Sequence, residues 1–191
     1  MQSKANSFAA YWDRRMIRIL LLGIISGFPW VLIGSALTLW LQEDGLSRST
    51  ISWAGLIFGV YAINFLWAPL IDRIRIPFIT NILGHRKAWI VTMQFLILVS
   101  LIVWSFLNPI DDLAIIITFG LIIAISSASQ DITIDALRIE QIGKDESAAM
   151  AAGAATAVVG WWSGYKLGGL ITLLTADWIQ SLGYSNYWQI S

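Results

Sequence analysis

The sequence predicts an all-α, polytopic membrane helix bundle, and three observations carry that reading. The 191 residues are 57% hydrophobic and 13% charged, with a mean hydropathy of +0.70, whereas a soluble domain averages roughly 25% charged residues. Long apolar runs recur between short polar segments, and a helix crossing a bilayer needs about 20 such residues. Lys and Arg fall almost entirely in alternate polar segments, as expected when those segments share one side of a membrane. Eleven Trp suit a chain that meets membrane–water interfaces. A formal net charge of zero offers no bulk attraction to nucleic acid, so no nucleic-acid partner is expected. The absence of Cys removes any disulfide or thiol argument.

Taken in order, residues 1–15 form a short basic segment with Lys4, Arg14 and Arg15, and residues 16–191 form the bundle. The run 16–41 holds one charge, Arg18. It is too long for a signal-peptide core and further spans follow, so it reads as a first span. Gly27 and Pro29 sit inside it, where Pro removes a backbone donor and bends the helix. A short loop at 42–50 leads to a second span at 51–71 with Asn64 and Pro69. A polar loop at 72–87 follows, then a third span at 88–107 in which Gln94 is expected to be buried. After a tight turn at 108–112 come a fourth span at 113–134, a charged loop at 135–147 and a fifth span at 148–174 containing Lys166. A loop at 175–186 precedes Tyr187, which opens the aromatic start of a sixth span.

Five spans put ten Lys and Arg on the side of the N-terminus and leave Arg48 alone on the other, with Lys166 inside the membrane. The N-terminus is therefore expected in the cytoplasm.

The candidate site begins with Asp131, an acid that follows eighteen uncharged residues near the cytoplasmic end of the fourth span. Ionisable groups at such depth are costly and tend to lie on substrate or ion pathways. Ser127, Asp131, Asp135 and Arg138 share one helix stripe. Desolvation favours the neutral acid, Asp135 one turn on opposes simultaneous ionisation, and Arg138 holds Asp135 charged. These three residues are the proton-coupling candidates. Arg138 and Glu140 also fit a plainer role as the first solvated charges of a helix end.

In the fifth span Gly160, Gly164 and Gly168 recur every fourth residue, with Ala152 and Thr156 extending the stripe, a pattern that lets helix backbones approach closely. Lys166 then points to the opposite side, toward a water-filled cavity where anionic groups would find it. Counted at ~1.5 Å per residue, Asp131 lies roughly 27 Å from the outer end of its helix and Lys166 about 12 Å, so the two are not expected to pair. Asp131 is expected to meet Arg15, Arg18 or Asp135 instead. No metal spacing or nucleophile–base pair is present, and the one His, His85, sits in a basic loop; no enzyme activity and no cofactor or metal is expected.

Ala-Pro-Leu-Ile-Asp-Arg at 68–73 and Gly-His-Arg-Lys at 84–87 resemble the loop between the second and third helices of major facilitator transporters. The ten residues between the two elements exceed that family's usual spacing. The resemblance implies that Asp72, Arg73, Gly84, Arg86 and Lys87 brace the inward side during alternating access. Gly-Phe-Pro-Trp at 27–30, Asn64 through Arg73, Gln94, Ala-Ser-Gln-Asp-Ile at 128–132 with Asp135-Ala136, and Gly-Tyr-Lys-Leu-Gly at 164–168 resemble the AmpG muropeptide permeases over about residues 16–174.

That resemblance implies the N-terminal half of a major facilitator bundle, built of inverted repeats with substrate between two halves. It implies proton-driven import of anhydro-muropeptides, anionic sugar-peptides, across the bacterial inner membrane. Lys166, Tyr165, Asn64, Gln94 and Gln130 are then the substrate-binding candidates. The partners implied are membrane lipid, protons and a missing C-terminal half, the chain being an N-terminal fragment. Acetyl-CoA transporters share similar motifs, so another anionic solute is the alternative. A non-transporting membrane scaffold is the alternative of a different class.

Overall fold

The computed structural model describes residues 9–143 and 145–190. Lys4, Lys144 and Ser191, which entered the sequence reading, lie outside them. Among the described residues there are helices and turns and no strand.

Helix α1 runs over Arg14–Glu43. Asp13 caps it, its carboxylate accepting the Arg15 backbone N–H at 2.8 Å and satisfying one of the free donors of the first turn. Pro29 lies inside α1, and the segment just beyond it, Leu32–Ala36, is wound as a π-helix before regular winding resumes at Leu37. The lost donor at Pro29 and the wider π turn are adjacent departures from one ladder. Helix α2, Arg48–Leu66, starts at Ser47, whose hydroxyl accepts the Thr50 N–H at 3.2 Å. It is interrupted by 3-10 turns at Gly55–Phe58 and Asn64–Leu66. Short helices α3 (Ala68–Arg73) and α4 (Ile79–Leu83) follow, then α5 (His85–Trp104), α6 (Leu113–Ile142), α7 (Ser147–Ser181) and α8 (Tyr187–Ile190).

The expected spans are all present as helices, with different ends. The largest correction is at α6, which continues to Ile142 where a charged loop was expected from 135. The stretch after Ile134 is rich in good helix formers, carries an Asp135–Arg138 pair at i, i+3 spacing, and stops only at Gly143, whose φ of +79° disfavours other residues. The loop expected at 72–87 contains α4 and the start of α5. Helix α7 likewise outruns its expected end by several residues.

Among the described residues four helices, α1, α2, α5 and α6, are long and apolar enough to cross a membrane. Helix α7 is longer than any of them, but its Gly, Ala, Trp and Lys166 make it less apolar.

The main core lies between α1, α2, α5 and α6. Leu37, Trp40, Leu41, Ile57, Ile97, Trp104, Ile116 and Ile123 interdigitate there, and the Trp104 indole N–H donates to the Ile116 carbonyl at 3.0 Å. A second cluster of Met16, Ile19, Ile142, Ala149 and Ala152 joins the start of α1 to the α6–α7 connection.

The closest packing is between α1 and α7. A Cβ on Gly23 would stand 2.7 Å from the Ala157 carbonyl oxygen, and one on Gly160 would overlap the Leu20 carbonyl. Gly27 and Gly164 are equally closed, against the Trp161 and Ile24 carbonyls. The glycine stripe of α7 therefore packs on a neighbour as expected, and the neighbour brings its own Gly23–Gly27 pair.

Candidate functional site

The interior stretch of α6 is polar without being solvated. Ser126, Ser127, Ser129 and Gln130 are all buried. Ser129 accepts the Trp67 indole N–H at 3.0 Å, which ties the junction of α2 and α3 to α6. Gln130 is 0% exposed, and among the described residues neither its amide nitrogen nor its oxygen has a partner. An unpaired buried amide costs free energy unless water or a ligand satisfies it.

Asp131 is half-buried and accepts a hydrogen bond from the Ser26 hydroxyl of α1. The Tyr61 hydroxyl of α2 stands beside Ser127 and within electrostatic reach of Asp131. Three helices thus converge on the carboxylate.

Of the partners expected for Asp131, Asp135 stands within electrostatic reach one turn on, and the expectation of Arg15 is corrected by this geometry. Arg15 is engaged elsewhere: its guanidinium pairs with Glu146 at 2.6 Å and with Asp13 at 2.6 Å, and donates to the Gln141 carbonyl at 3.2 Å. The reason is the unexpected length of α6. Its C-terminal carbonyls, the negative end of the helix, lie eleven residues or roughly 16 Å beyond Asp131. Arg15 binds that end. It holds the Asp13 and Glu146 carboxyls below their ordinary values through direct hydrogen bonds. Asp135 is exposed and pairs with Arg138 at 3.1 Å, as the stripe predicted.

The substrate candidates are dispersed. Lys166 is exposed, with its ammonium 5.8 Å from the centre of the Trp162 ring. Tyr165 is half-buried, its hydroxyl 3.4 Å from Ser35 of the π segment. Asn64 is half-buried at a 3-10 turn. Gln94 is exposed, which corrects the buried position expected for it: the core-facing residues of α5 are Ile90, Met93 and Ile97, and Gln94 lies outside the arc they cover, on the flank beyond Ile90.

The loop elements meet as an ion-pair network. Arg86 pairs with Asp72 at 2.5 Å and with Glu140 at 2.9 Å. The ring of His85 bonds the Ile71 carbonyl at 2.9 Å, and the Trp89 indole donates to the Ile74 carbonyl at 2.9 Å. Gly84 joins α4 to α5 at φ +84°, a conformation in which Gly is at no disadvantage. Arg73 and Lys87 are exposed.

Sequence reasoning missed Ser26, Glu146 and the bridging role of Glu140. The Gly23–Gly27 pair was readable from its four-residue spacing. A lone Ser in an apolar helix gives no comparable signal.

The apolar helices and their interior polar groups define a polytopic, all-α membrane protein. Comparison of sequences identifies the chain as a relative of the AmpG transporters. It is 34% identical to AmpG 4 of Rickettsia felis over 179 residues, 94% of this chain. It is 34% identical to the anhydromuropeptide permease of Escherichia coli K12 over 171 residues, 89% of this chain, and 36% identical to AmpG 1 of Rickettsia bellii over 133 residues, 70% of this chain. The matches span 41%, 33% and 32% of those three proteins' own lengths. No family model matches the chain.

Proposed function

We propose that this chain forms one half-bundle of a proton-coupled major facilitator transporter that imports anhydromuropeptides across the bacterial inner membrane. The N-terminus is cytoplasmic, α7 is the fifth span, and a second half supplies the opposing wall of the substrate path. The relatedness to the anhydromuropeptide permease supports the substrate class. The role is transport rather than catalysis.

One observation carries the coupling mechanism: Asp131 sits inside α6 bonded to Ser26 across the α1–α6 contact. The bond can form with either protonation state of the carboxyl, but the cost of burying charge applies to one state alone. Protonation therefore changes the stability of the closed arrangement, which is what coupling requires. Asp135 and Arg138 lead from Asp131 toward the cytoplasmic end. Lys166, Tyr165, Asn64 and Gln130 serve the anionic, hydrogen-bonding substrate. Gln94, exposed on α5, is the remaining candidate for the same substrate. Asp72, Arg73, Gly84, Arg86 and Lys87 brace the cytoplasmic face.

The experiment is uptake into proteoliposomes containing the full-length transporter. Asp131→Asn mimics the neutral acid. It should abolish accumulation of anhydromuropeptide driven by an inward proton gradient while leaving substrate exchange intact. Accumulation against a gradient by Asp131→Asn would place coupling on another group.

A further inference from the structure

Six aromatic rings from three helices form one continuous cluster, of which the transport reading uses Tyr165 alone. Trp30 of α1 is its hub. Its ring centre lies 5.0 Å from Phe58 and 4.4 Å from Tyr61 of α2, and 5.6 Å from Trp161 of α7. Trp161 runs nearly parallel to Tyr165, with centres 5.7 Å apart and planes 6° apart. Trp162 meets both of these rings edge-on, and Lys166 closes the far edge over its face.

A membrane-interface belt is the ordinary reason for such residues, and depth excludes it. Trp30 is sixteen residues into α1 and Trp161 fourteen into α7, so both lie roughly 21–24 Å from the start of their helices. Tyr61, entering from the other side, is thirteen residues or roughly 20 Å into α2. All three therefore sit near the middle of a hydrocarbon core about 30 Å thick, away from the headgroup level where belts form. Core packing alone does not account for the cluster either. Trp30, Phe58, Tyr61, Trp161 and Tyr165 are each only half-buried, and Trp162 is 51% exposed. Ring surface is left open at mid-depth.

We infer that this cluster is a stacking platform for a saccharide ring whose attached chain carries a carboxylate. An aromatic face is the negative side of a quadrupole, and the C–H face of a pyranose is its natural counterpart. The sugar's hydroxyl and amide edges then project sideways toward polar groups such as the Tyr165 hydroxyl. Lys166 supplies the positive charge at the margin, where the carboxylate of the attached chain would lie. The platform continues through Tyr61 toward Asp131, so a bound ring would touch the same junction of α1, α2 and α6 that holds the carboxylate. This deepens the transport reading and rests on it for the identity of the sugar.

The test is calorimetric binding to the full-length transporter in nanodiscs with three probes: an anhydromuropeptide, its disaccharide without peptide, and its peptide without sugar. Trp161→Leu and Trp30→Leu should each weaken binding of the two sugar-bearing probes about tenfold, with Trp161→Phe retaining most of the affinity. The peptide probe should be unaffected by all three. Equal loss for all probes, or no loss for the sugars, overturns the platform. The wild-type protein provides a check independent of folding of the variants: if the peptide alone reproduces the whole affinity, no sugar platform exists. Should the wild type bind other disaccharides in a Trp161-dependent way but not anhydromuropeptide, the substrate reading fails and the platform stands.

Discussion

Asp131 and Arg15 show how far single residues could be read. The uncharged run before Asp131 marked it as unusual, because a carboxylate in such surroundings needs a reason. Its partner could not be read, since Ser26 lies 105 positions away and has the same sequence context as any small residue in a membrane helix. Glu140 looked like a solvated helix end, yet it closes the Arg86 network. Arg15 was expected near Asp131 and instead holds Glu146, Asp13 and the end of α6. That exposed network predicts a pH dependence. Its carboxyls are lowered from 3.8 for Asp13 and 4.5 for Glu146. Groups lowered by folding add stability that is fully present above their unfolded values and is lost as pH falls through their folded ones. Thermal melts in detergent should therefore show wild type above Arg15→Gln by a constant, modest margin above about pH 5, with the margin closing on further acidification. A margin that persists unchanged at pH 3 would mean that Arg15 acts through the α6 carbonyls alone.

At the scale of elements, the glycine stripe of α7 was legible because close helix packing demands small residues at a fixed period. Its partner Gly23–Gly27 follows the same rule, so the α1–α7 contact is written twice in the sequence. The broken winding of α2 was less legible. Gly55 and Gly59 sit in or beside 3-10 turns and have nothing within 4 Å of an added Cβ. The two kinds of glycine should respond oppositely to Ala. Gly164→Ala forces a methyl into the Ile24 carbonyl and must separate α1 from α7; a loss of about 1–3 kcal/mol is expected, as for overpacking elsewhere. Gly59→Ala meets open space and should be neutral or stabilising by up to ~1 kcal/mol through helix propensity. Denaturation of both variants in the same mixed micelles measures the contrast. Equal effects at the two sites would show that the α1–α7 contact yields without cost.

For the molecule as a whole, the alternation of basic segments predicted a topology, and the tertiary contacts gather those segments at one end. Arg15 at the start of α1 reaches Glu146 and the end of α6, and Arg86 at the start of α5 reaches Asp72 and Glu140. The N-terminal, second and fourth polar segments are therefore joined by ion pairs. The opposite end carries Arg48 and a different set of contacts, in which Glu43 accepts from the Tyr187 hydroxyl and from the Trp188 indole at 2.6 Å, and Gln189 donates to the Leu107 carbonyl at 2.9 Å. Sequence alone could count basic residues but could not say that their segments touch, because the contacts between segments, Arg15–Glu146 and Arg86–Glu140, join positions 131 and 54 residues apart. On the proposed topology, which keeps the basic end in the cytoplasm, a reporter active only in the cytoplasm should be active when fused after Leu83 and silent when fused after Asp44. A periplasm-specific reporter should give the reverse at both positions. Inversion at both sites would turn the bundle over and move Asp131 to the periplasmic end, which removes the proposed direction of proton release. Inversion at one site alone would mean that α2 does not cross, and the convergence of α1, α2 and α6 on Asp131 would then need a different bundle.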